Sequence, residues 1–466
     1  MNDGLGIDDL QQQLQTFLEY VRRQTKVPGV TAAVSLEGRR ASVGVGTLVD
    51  GGAEAMSRAT VFHLGCVTKL LVSVVVLELA WNKKLDLEAS IAQYLPELAG
   101  TVHGGTVKLM HLLSHTSGYR GTNIYERETQ ALDWAGFVAY LRAAPQYFEP
   151  GTVFNYEHTE AVLAAEIVRR VSGKSCIEHI EDSIFRPLDV RPAKLQMNGR
   201  TAQKQAGQHV IDPLTGRFKP VSWSDLFPRG QTDFSEFWRA SFSTISVSVE
   251  DLLALADFVM GQSRRTGARQ AAISAGTLSM LQKPAVVLPR MVGGPLAEMV
   301  PASFGLGASR WKDGFYGIGG ATYGQCLGFR FDPGTGAAVA VAVNVMQPYL
   351  RDLVIGRICE ALRGNAHATQ PGEDRPEYDF ALRDLAGFYR GSGRNALTAT
   401  LQDERLVCVV ESGATGVRMR GELVMDPTRG LVLSSPIPHM SVGFFREAAS
   451  GSIAAMVGHN AYKKMQ

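Results

Sequence analysis

The sequence has few cysteines, almost no net charge and no close pair of metal-binding thiols. Its five cysteines are scattered along the chain at Cys66, Cys176, Cys326, Cys359 and Cys408. An odd number without close spacing argues against a disulfide framework and against a zinc site, so we expect reduced thiols, no metal and no cofactor. The net charge of +2 comes from 47 basic and 45 acidic residues, which gives no indication of nucleic acid as a partner.

Long apolar runs are also missing. The longest, "LLVSVVVLELAW", is too short to cross a bilayer, so we expect no membrane partner. The first residues, "MNDGLGIDDLQQQLQTFLEYVRRQ", lack a basic stretch followed by an apolar one. They are typical of an amphipathic helix and not of a signal peptide, and we therefore expect a cytoplasmic protein.

The 466 residues suggest two or three structural units. Two β-rich runs flank Glu37-Gly38 and predict a hairpin, and Ser248 is placed to cap a helix. A turn at 332–336 separates two further predicted strands, which makes its "GTG" a turn and not a catalytic motif. The region from about 85 to 240 is mostly helical in pattern. The polar stretch after residue 364 predicts a linker, and the chain beyond it alternates as a small antiparallel β unit.

The segment "VFHLGCVTKLL" is the most informative for chemistry. Cys66 lies three residues before Lys69, so one helical turn would place both side chains on one face. The start of a helix and a neighbouring lysine both favour a thiolate. The apolar neighbours of Lys69 indicate that it is either partly buried or badly placed, and burial lowers the pKa of a lysine and makes it a usable base.

The order of such segments resembles the serine β-lactamase and penicillin-binding-protein-like family, which includes esterases, transesterases and peptide cyclases. "TVFHLGCVTKLL" is similar to the family's T-F-x-x-G-S-x-T-K, and "VKLMHLLSHTSGY", "FEPGTVFNYEHTEAVLAAEIVRRVSGKS" and "GFYGIGGATYGQCLGFRFDPGTGAAVAVAVN" follow in the family's order. The resemblance covers nearly the whole chain. It implies an α+β fold, in which helices and a helical subdomain flank an antiparallel sheet, followed by a small C-terminal β-barrel.

The resemblance implies a β-lactamase-like catalytic domain at residues 1–365, which includes a helical subdomain at roughly 85–240. A linker at 366–379 leads to a C-terminal, lipocalin-like β-barrel at 380–466.

The resemblance also implies roles for individual residues. The nucleophile position falls on Cys66, the first lysine on Lys69 and the tyrosine of the second motif on Tyr156. The backbone amides of Cys66 and Ala321 would form the oxyanion hole. The remaining motif positions would bind substrate, and they are His158, Ile318, Gly319 and Gly320.

Three positions depart from the family's pattern: serine is replaced by Cys66, asparagine by His158, and lysine or histidine by Ile318. The cation normally found at the third position helps to bind a substrate carboxylate, so its loss argues against β-lactam hydrolysis. Besides a working nucleophile, two explanations of Cys66 stay open, a buried residue in a retired site and a deliberate replacement of serine. For His158, a role in packing is as plausible as one with substrate.

We expect covalent acyl transfer through Cys66 on a small-molecule or peptidyl ester or thioester, with a carrier protein as one way of presenting the acyl group. The enzyme would be a transacylase, esterase, thioesterase or cyclase, and a thiol nucleophile favours a role in secondary metabolism. A non-catalytic ligand-binding relative and a D-amino-acid peptidase are the alternatives. His111 and His115 have zinc-ligand spacing, but "HLLSHTSG" is typical of a helix end and turn.

Overall fold

A computed structural model provides the coordinates. It describes residues 7–119, 132–194, 204–212, 215–222, 243–261, 273–288, 300–322, 324–363, 381–391, 395–411, 418–426, 430–433, 442–447, 450, 452–457 and 460–465.

Helices in the described part of the chain are α1 (Ile7–Thr25), α2 (Val67–Trp81), α3 (Val102–Thr106), α4 (Leu109–Leu113), α5 (Trp134–Ala143), α6 (Thr159–Ser172), α7 (Cys176–Ile180), α8 (Val249–Val259), α9 (Ala275–Leu281), α10 (Pro348–Arg363) and α11 (Leu382–Leu385).

Strands are β1 (Gly29–Leu36), β2 (Arg39–Gly46), β3 (Phe62–Gly65), β4 (Ala193–Lys194), β5 (Gln208–Ile211), β6 (Phe218–Val221), β7 (Ser243–Val247), β8 (Val286–Val287), β9 (Ser303–Phe304), β10 (Ser309–Arg310), β11 (Tyr316–Thr322), β12 (Gln325–Asp332), β13 (Ala337–Val343), β14 (Gly387–Arg390), β15 (Ala396–Gln402), β16 (Arg405–Glu411), β17 (Arg418–Asp426), β18 (Gly430–Leu433), β19 (Val442–Arg446), β20 (Ile453–Val457) and β21 (Asn460–Lys464).

The chain divides into two compact units. Unit 1 comprises Met1–Trp81, Lys174–Gln282 and Asp313–Ala368. Unit 2 comprises Asn82–Gly173, Lys283–Lys312 and Thr369–Gln466. Each unit is therefore assembled from segments that are far apart in sequence, and the domain boundaries stated above stay a prediction.

Unit 1 is built on antiparallel strands in the order β2-β1-β13-β12-β11. The predicted hairpin is present, because Leu36, the last residue of β1, pairs with Arg39, the first residue of β2. Side chains of β13 alternate in sequence between valine and alanine, so the strand presents a bulky and a small face. The valine face packs with α1 and α10 in one apolar core, and α8 also packs against β13. This is the helix-flanked antiparallel sheet that the sequence predicted.

Several local predictions are confirmed. Ser248 caps α8 by accepting a hydrogen bond from the backbone nitrogen of Asp251. The turn between β12 and β13 closes with a 2.8 Å hydrogen bond from the Gly336 nitrogen to the Asp332 carbonyl. The strand pair β5 and β6 lies within the region of helical pattern and was not predicted. The predicted linker at 366–379 lies outside the described residues.

Unit 2 contains α3 to α6 and the C-terminal strands. These strands form one antiparallel sheet in the order β18-β17-β16-β15-β14-β21-β20-β19, which confirms the predicted antiparallel C-terminal unit. Within the described residues the recorded pairing runs from β18 to β19, and closure of the two ends into a barrel stays a prediction. No helix in the described ranges is long and apolar enough to cross a bilayer.

Candidate active site

Cys66 lies at the junction of a strand and a buried helix. Strand β3 ends at Gly65, which has a φ of +52°, and α2 begins at Val67. Glycine adopts this left-handed conformation without the steric cost that other residues carry. The turn places Cys66 at the N-terminal end of α2, where backbone amides favour a negative charge. Its side chain is half-buried.

Lys69 lies one turn further along α2. Its backbone nitrogen donates a 3.0 Å hydrogen bond to the Cys66 carbonyl. Only 4% of Lys69 is exposed, and valine and leucine side chains surround it along the same helix. Of the two alternatives that the apolar sequence context left for Lys69, the structure shows burial.

A close approach of two backbones brings β11 next to Cys66. A Cβ atom on Gly320 would lie 2.5 Å from the Leu64 carbonyl oxygen and 3.2 Å from the Cys66 nitrogen. From the other side, a Cβ on Gly65 would lie 3.3 Å from the Ala321 nitrogen. The gap between these two backbones is too narrow for a side chain, so both positions require glycine. The backbone nitrogens of Cys66 and Ala321, which were expected to form an oxyanion hole, both border this gap.

Gly319 is required for a different reason, which the sequence did not reveal. A Cβ atom there would lie 2.4 Å from Cζ of Arg351, a buried residue of α10. Neighbouring residues of a strand point to opposite faces. The two glycines thus leave space on opposite faces of β11. The absence of a side chain at Gly320 leaves room for the backbone around Cys66, and its absence at Gly319 leaves room for the guanidinium of Arg351. Ile318 is 5% exposed and pairs with Phe329 of β12.

Tyr156 and His158 lie together in unit 2, just before α6. Tyr156 is half-buried, and its ring centroid lies 6.0 Å from that of His158 in an edge-on arrangement. Tyr156 packs against an apolar cluster that includes Phe154, Phe304 and Met456. Met456 belongs to β20, so the C-terminal sheet contributes a side chain to the apolar cluster against which Tyr156 packs.

The C-terminal sheet also holds the residue before Tyr156. Asn155 is buried, and its Oδ1 accepts a 3.0 Å hydrogen bond from the backbone nitrogen of Ala461 in β21. Its Nδ2 donates to Oε1 of Glu157 at 3.3 Å. A second contact joins the same regions, because Nζ of Lys463 donates to the Tyr147 carbonyl at 2.7 Å. The second motif and the C-terminal sheet are therefore one packed structure within unit 2.

His115 also packs against Tyr156. It follows the end of α4 with a φ of +55°, which confirms the predicted helix end and turn. Its ring centroid lies 4.5 Å from that of Tyr156, and its Nδ1 pairs with the buried carboxylate of Glu160. Glu160 also accepts a 2.6 Å hydrogen bond from the Ser117 hydroxyl. The HTSG turn thus carries a buried imidazole-carboxylate pair under the tyrosine, which the sequence did not predict.

His111 is separate from this pair. Its Nδ1 accepts a 3.2 Å hydrogen bond from the Lys108 backbone nitrogen and caps α4. Burial is the main cause that lowers its pKa, with the charge of Lys108 as a smaller contribution. The two histidines thus have different partners.

His63 fixes β3, the strand that leads to Cys66. Its ring is fully buried, with Nδ1 3.0 Å from the Ser246 hydroxyl. The side-chain amides of Gln205 and Gln208 lie 2.8 Å and 3.0 Å from Nε2. Because amide nitrogens donate, Nε2 accepts and the ring proton resides on Nδ1. Desolvation lowers the pKa of His63 to about 4, so this network requires the neutral imidazole.

The four other cysteines are buried. Burial raises the pKa of Cys326, Cys359 and Cys408 to about 12, and raises that of Cys176 further. These thiols are protonated near neutral pH, and Cys66 is the half-buried cysteine of the chain.

An antiparallel sheet between helices, a half-buried cysteine at the start of a buried helix and a glycine-rich strand beside it are the features that the motif resemblance implied. The family model described as Beta-lactamase matches residues 8–357, and the chain belongs to this family. The family assignment made from the motifs is therefore confirmed.

Individual relatives agree with this assignment. Penicillin-binding protein 4 of Amycolatopsis lactamdurans is 25% identical over 395 residues, which cover 81% of this chain and 97% of that protein. Esterase EstB of Burkholderia gladioli is 28% identical over 207 residues, 40% of this chain and 52% of the relative. The crystal structure of SurE superposes with a TM-score of 0.73 at 22% identity, and covers 99% of this chain and 100% of SurE. This last likeness shows the fold. The chain is therefore similar to hydrolases and penicillin-binding proteins of one fold.

Proposed function

We propose that this protein catalyses covalent acyl transfer through Cys66 on a small-molecule or peptidyl ester or thioester. The observation that carries the proposal is the junction of β3 and α2. There a half-buried thiol lies at a helix N-terminus, a buried lysine follows one turn later, and the Ala321 amide faces the same gap. A retired site has no need to keep all three features.

In the proposed first step, Lys69 takes the proton of the Cys66 thiol, and the sulfur attacks the acyl carbon. The carbonyl electrons move to oxygen, which the amides of Cys66 and Ala321 stabilise. The tetrahedral intermediate then collapses, the carbon–sulfur bond to the enzyme remains, and the alcohol or thiol leaves with a proton. We assign this proton relay to Tyr156, because the family resemblance implies that role for it.

In the second step, an amine, thiol or water attacks the thioester and releases the acyl product and the thiol. Thioesters react with amines and thiols relatively more readily than with water, so a cysteine shifts the enzyme from hydrolysis toward transfer. We therefore favour a transacylase or peptide cyclase of secondary metabolism, with a free or carrier-bound acyl donor. SurE has also been crystallised with D-Leu, and we take this as support for a peptidyl substrate that contains a D-residue.

Intact-mass spectrometry after incubation with activated esters and thioesters tests the proposal. The panel includes N-acetylcysteamine thioesters of short peptides that end in a D-residue, with and without an added amine. We expect a single acyl adduct on the peptide that contains Cys66, and faster loss of the adduct when the amine is present.

Two variants complete the experiment. Cys66→Ala should form no adduct, and Cys66→Ser should form an ester that partitions more toward water. An adduct at another residue, or none across the panel in a folded protein, would contradict the proposal. Saturable binding without acylation would then favour the non-catalytic ligand-binding alternative, whereas release of D-residues from peptides would favour the D-amino-acid peptidase.

A further inference from the structure

Arg351 lies directly behind the strand that borders Cys66. Its Nη1 donates to the backbone carbonyl oxygens of Gly320 at 3.0 Å and Leu327 at 3.3 Å. Nε and Nη2 make a two-point ion pair with Asp352 at 2.9 Å and 2.6 Å. All three guanidinium nitrogens are therefore engaged with protein groups, and the side chain is 8% exposed.

The carbonyl of Gly320 and the N–H of Ala321 belong to one peptide group. A trans peptide is planar, and its C=O and N–H point in opposite directions. Because one nitrogen of Arg351 reaches the carbonyl oxygens of both Gly320 and its cross-strand partner Leu327, the Gly320 carbonyl lies on the β12 side of β11. The Ala321 N–H therefore points to the opposite side of β11, toward the gap at Gly65 and Cys66.

We propose that Arg351 is a positioning residue for the oxyanion hole. It holds the Gly320 carbonyl on the far side of β11 and thereby fixes the direction of the Ala321 N–H. The inference rests on the proposed function, because an oxyanion forms only if Cys66 is acylated. It also gives the glycine at 319 a purpose, since any side chain there would displace the guanidinium.

Two physical effects support this role. A hydrogen bond to the carbonyl of a peptide strengthens its N–H as a donor, because hydrogen bonds in a chain polarise one another. The second effect is rigidity, because a donor that is aligned in advance pays no reorganisation during the reaction. Burial alone would lower the pKa of Arg351, but the charge of Asp352 and the hydrogen bond to it raise that pKa. The guanidinium therefore stays charged and remains a strong donor to the carbonyl.

The geometry argues against direct binding of substrate by Arg351. The residue lies on the Gly319 face of the strand, whereas the Cys66 backbone lies next to Gly320. An effect of Arg351 on the reaction therefore has to pass through the Gly320–Ala321 peptide.

The test compares two reactions of Cys66 in Arg351→Met, Arg351→Lys and the control Arg357→Met. Arg357 lies on the same helix, is exposed and pairs with Glu360. Acylation by a thioester develops an oxyanion, whereas alkylation by iodoacetamide does not. We expect Arg351→Met to slow acylation about 10- to 100-fold, the range for a misplaced catalytic group. Alkylation, measured at a pH where the thiol is fully ionised, should change less than about twofold.

Infrared spectroscopy of the acyl-enzyme gives an independent readout. With a ¹³C-labelled carbonyl, the thioester band should move to higher wavenumber in Arg351→Met, because the hydrogen bond to the carbonyl oxygen weakens. Arg357→Met should match the wild type in both rates and band position. Arg351→Lys keeps the charge and one carbonyl contact, so we expect an intermediate band; it decides the question if the methionine variant does not fold.

An acylation rate and band position unchanged in the folded Arg351 variants would overturn the inference. Equal losses of acylation and alkylation would also overturn it, since they would assign Arg351 to the thiolate or to overall structure. If the wild type itself is not acylated at Cys66, the proposed function fails first, and that result is distinct from the other two.

Discussion

Mild acid should weaken unit 1 through His63. The ring is neutral and fully buried, and its pKa is about 4 against an ordinary 6.5. Because the folded-state pKa is depressed, the unfolded chain binds more protons between pH 6.5 and pH 4. The stability linked to His63 is therefore intact above pH 6.5 and is lost as the pH falls toward 4. The full loss is about 3.4 kcal/mol from the 2.5-unit difference.

The loss between two accessible conditions is smaller. With these two pKa values, the free energy of unfolding should fall by about 2 kcal/mol between pH 7 and pH 5. Over this range His63 remains neutral in the folded protein. Urea unfolding followed by circular dichroism at both pH values measures it. His63→Gln provides the comparison, because glutamine does not titrate and the loss due to this residue should vanish.

The contributions of other titrating groups cancel when the pH dependence of His63→Gln is subtracted from that of the wild type. Burial also lowers the pKa of His209, whose ring contacts the Asn344 carbonyl, but His209 titrates in both proteins. A loss in His63→Gln equal to that of the wild type within about 0.5 kcal/mol would refute the reasoning. So would a titration of the His63 ring, followed by NMR, with a midpoint near 6.5.

Three further predictions concern the cysteines, the third motif and the second motif. Iodoacetamide at neutral pH should label the native protein once, at Cys66, because the other four thiols are buried; peptide mapping that finds a second native site would contradict this. Penicillins and a chromogenic cephalosporin should not be turned over, since Ile318 provides no cation for the carboxylate; efficient colour development would show that another group binds it. Asn155→Ala should lower the free energy of unfolding by about 1–3 kcal/mol, because it leaves the buried amide of Ala461 unpaired. Gln402→Ala, at an exposed position of β15, is the control, and equal melting curves for the two variants would contradict the role of Asn155.

The sequence could predict those features whose causes are local. Cys66, Lys69 and the start of α2 follow from residues within one turn of one another, and the hairpin at Glu37-Gly38 follows from alternation and a glycine. The family resemblance then identified the glycines of β11 as motif positions. The sequence could not show why glycine is required there, because each glycine makes room for atoms of a segment that is distant in sequence.

Arg351 shows where local reasoning ends. It is 31 residues from the carbonyl that it holds, and nothing in "PYLRDLV" distinguishes a buried arginine from an exposed one on an amphipathic helix. His115 and Glu160 were missed for the same reason, since 45 residues separate the imidazole from the carboxylate. The histidine was considered for zinc and set aside, but its real partners are a carboxylate and the tyrosine ring.

The contact between Asn155 and Ala461 has a consequence for synthesis on the ribosome. The asparagine emerges 306 residues before the amide that it binds, which at cellular rates of elongation is a delay of about 15 to 60 s. During this interval the loop that carries Tyr156 has neither its strand partner nor Met456 beneath it. Phe154 and its neighbours are then exposed apolar surface, the kind that chaperones bind. The tyrosine is thus among the last parts of the molecule to reach its final surroundings, and a chain that stops short of β21 carries the thiol without a settled second motif.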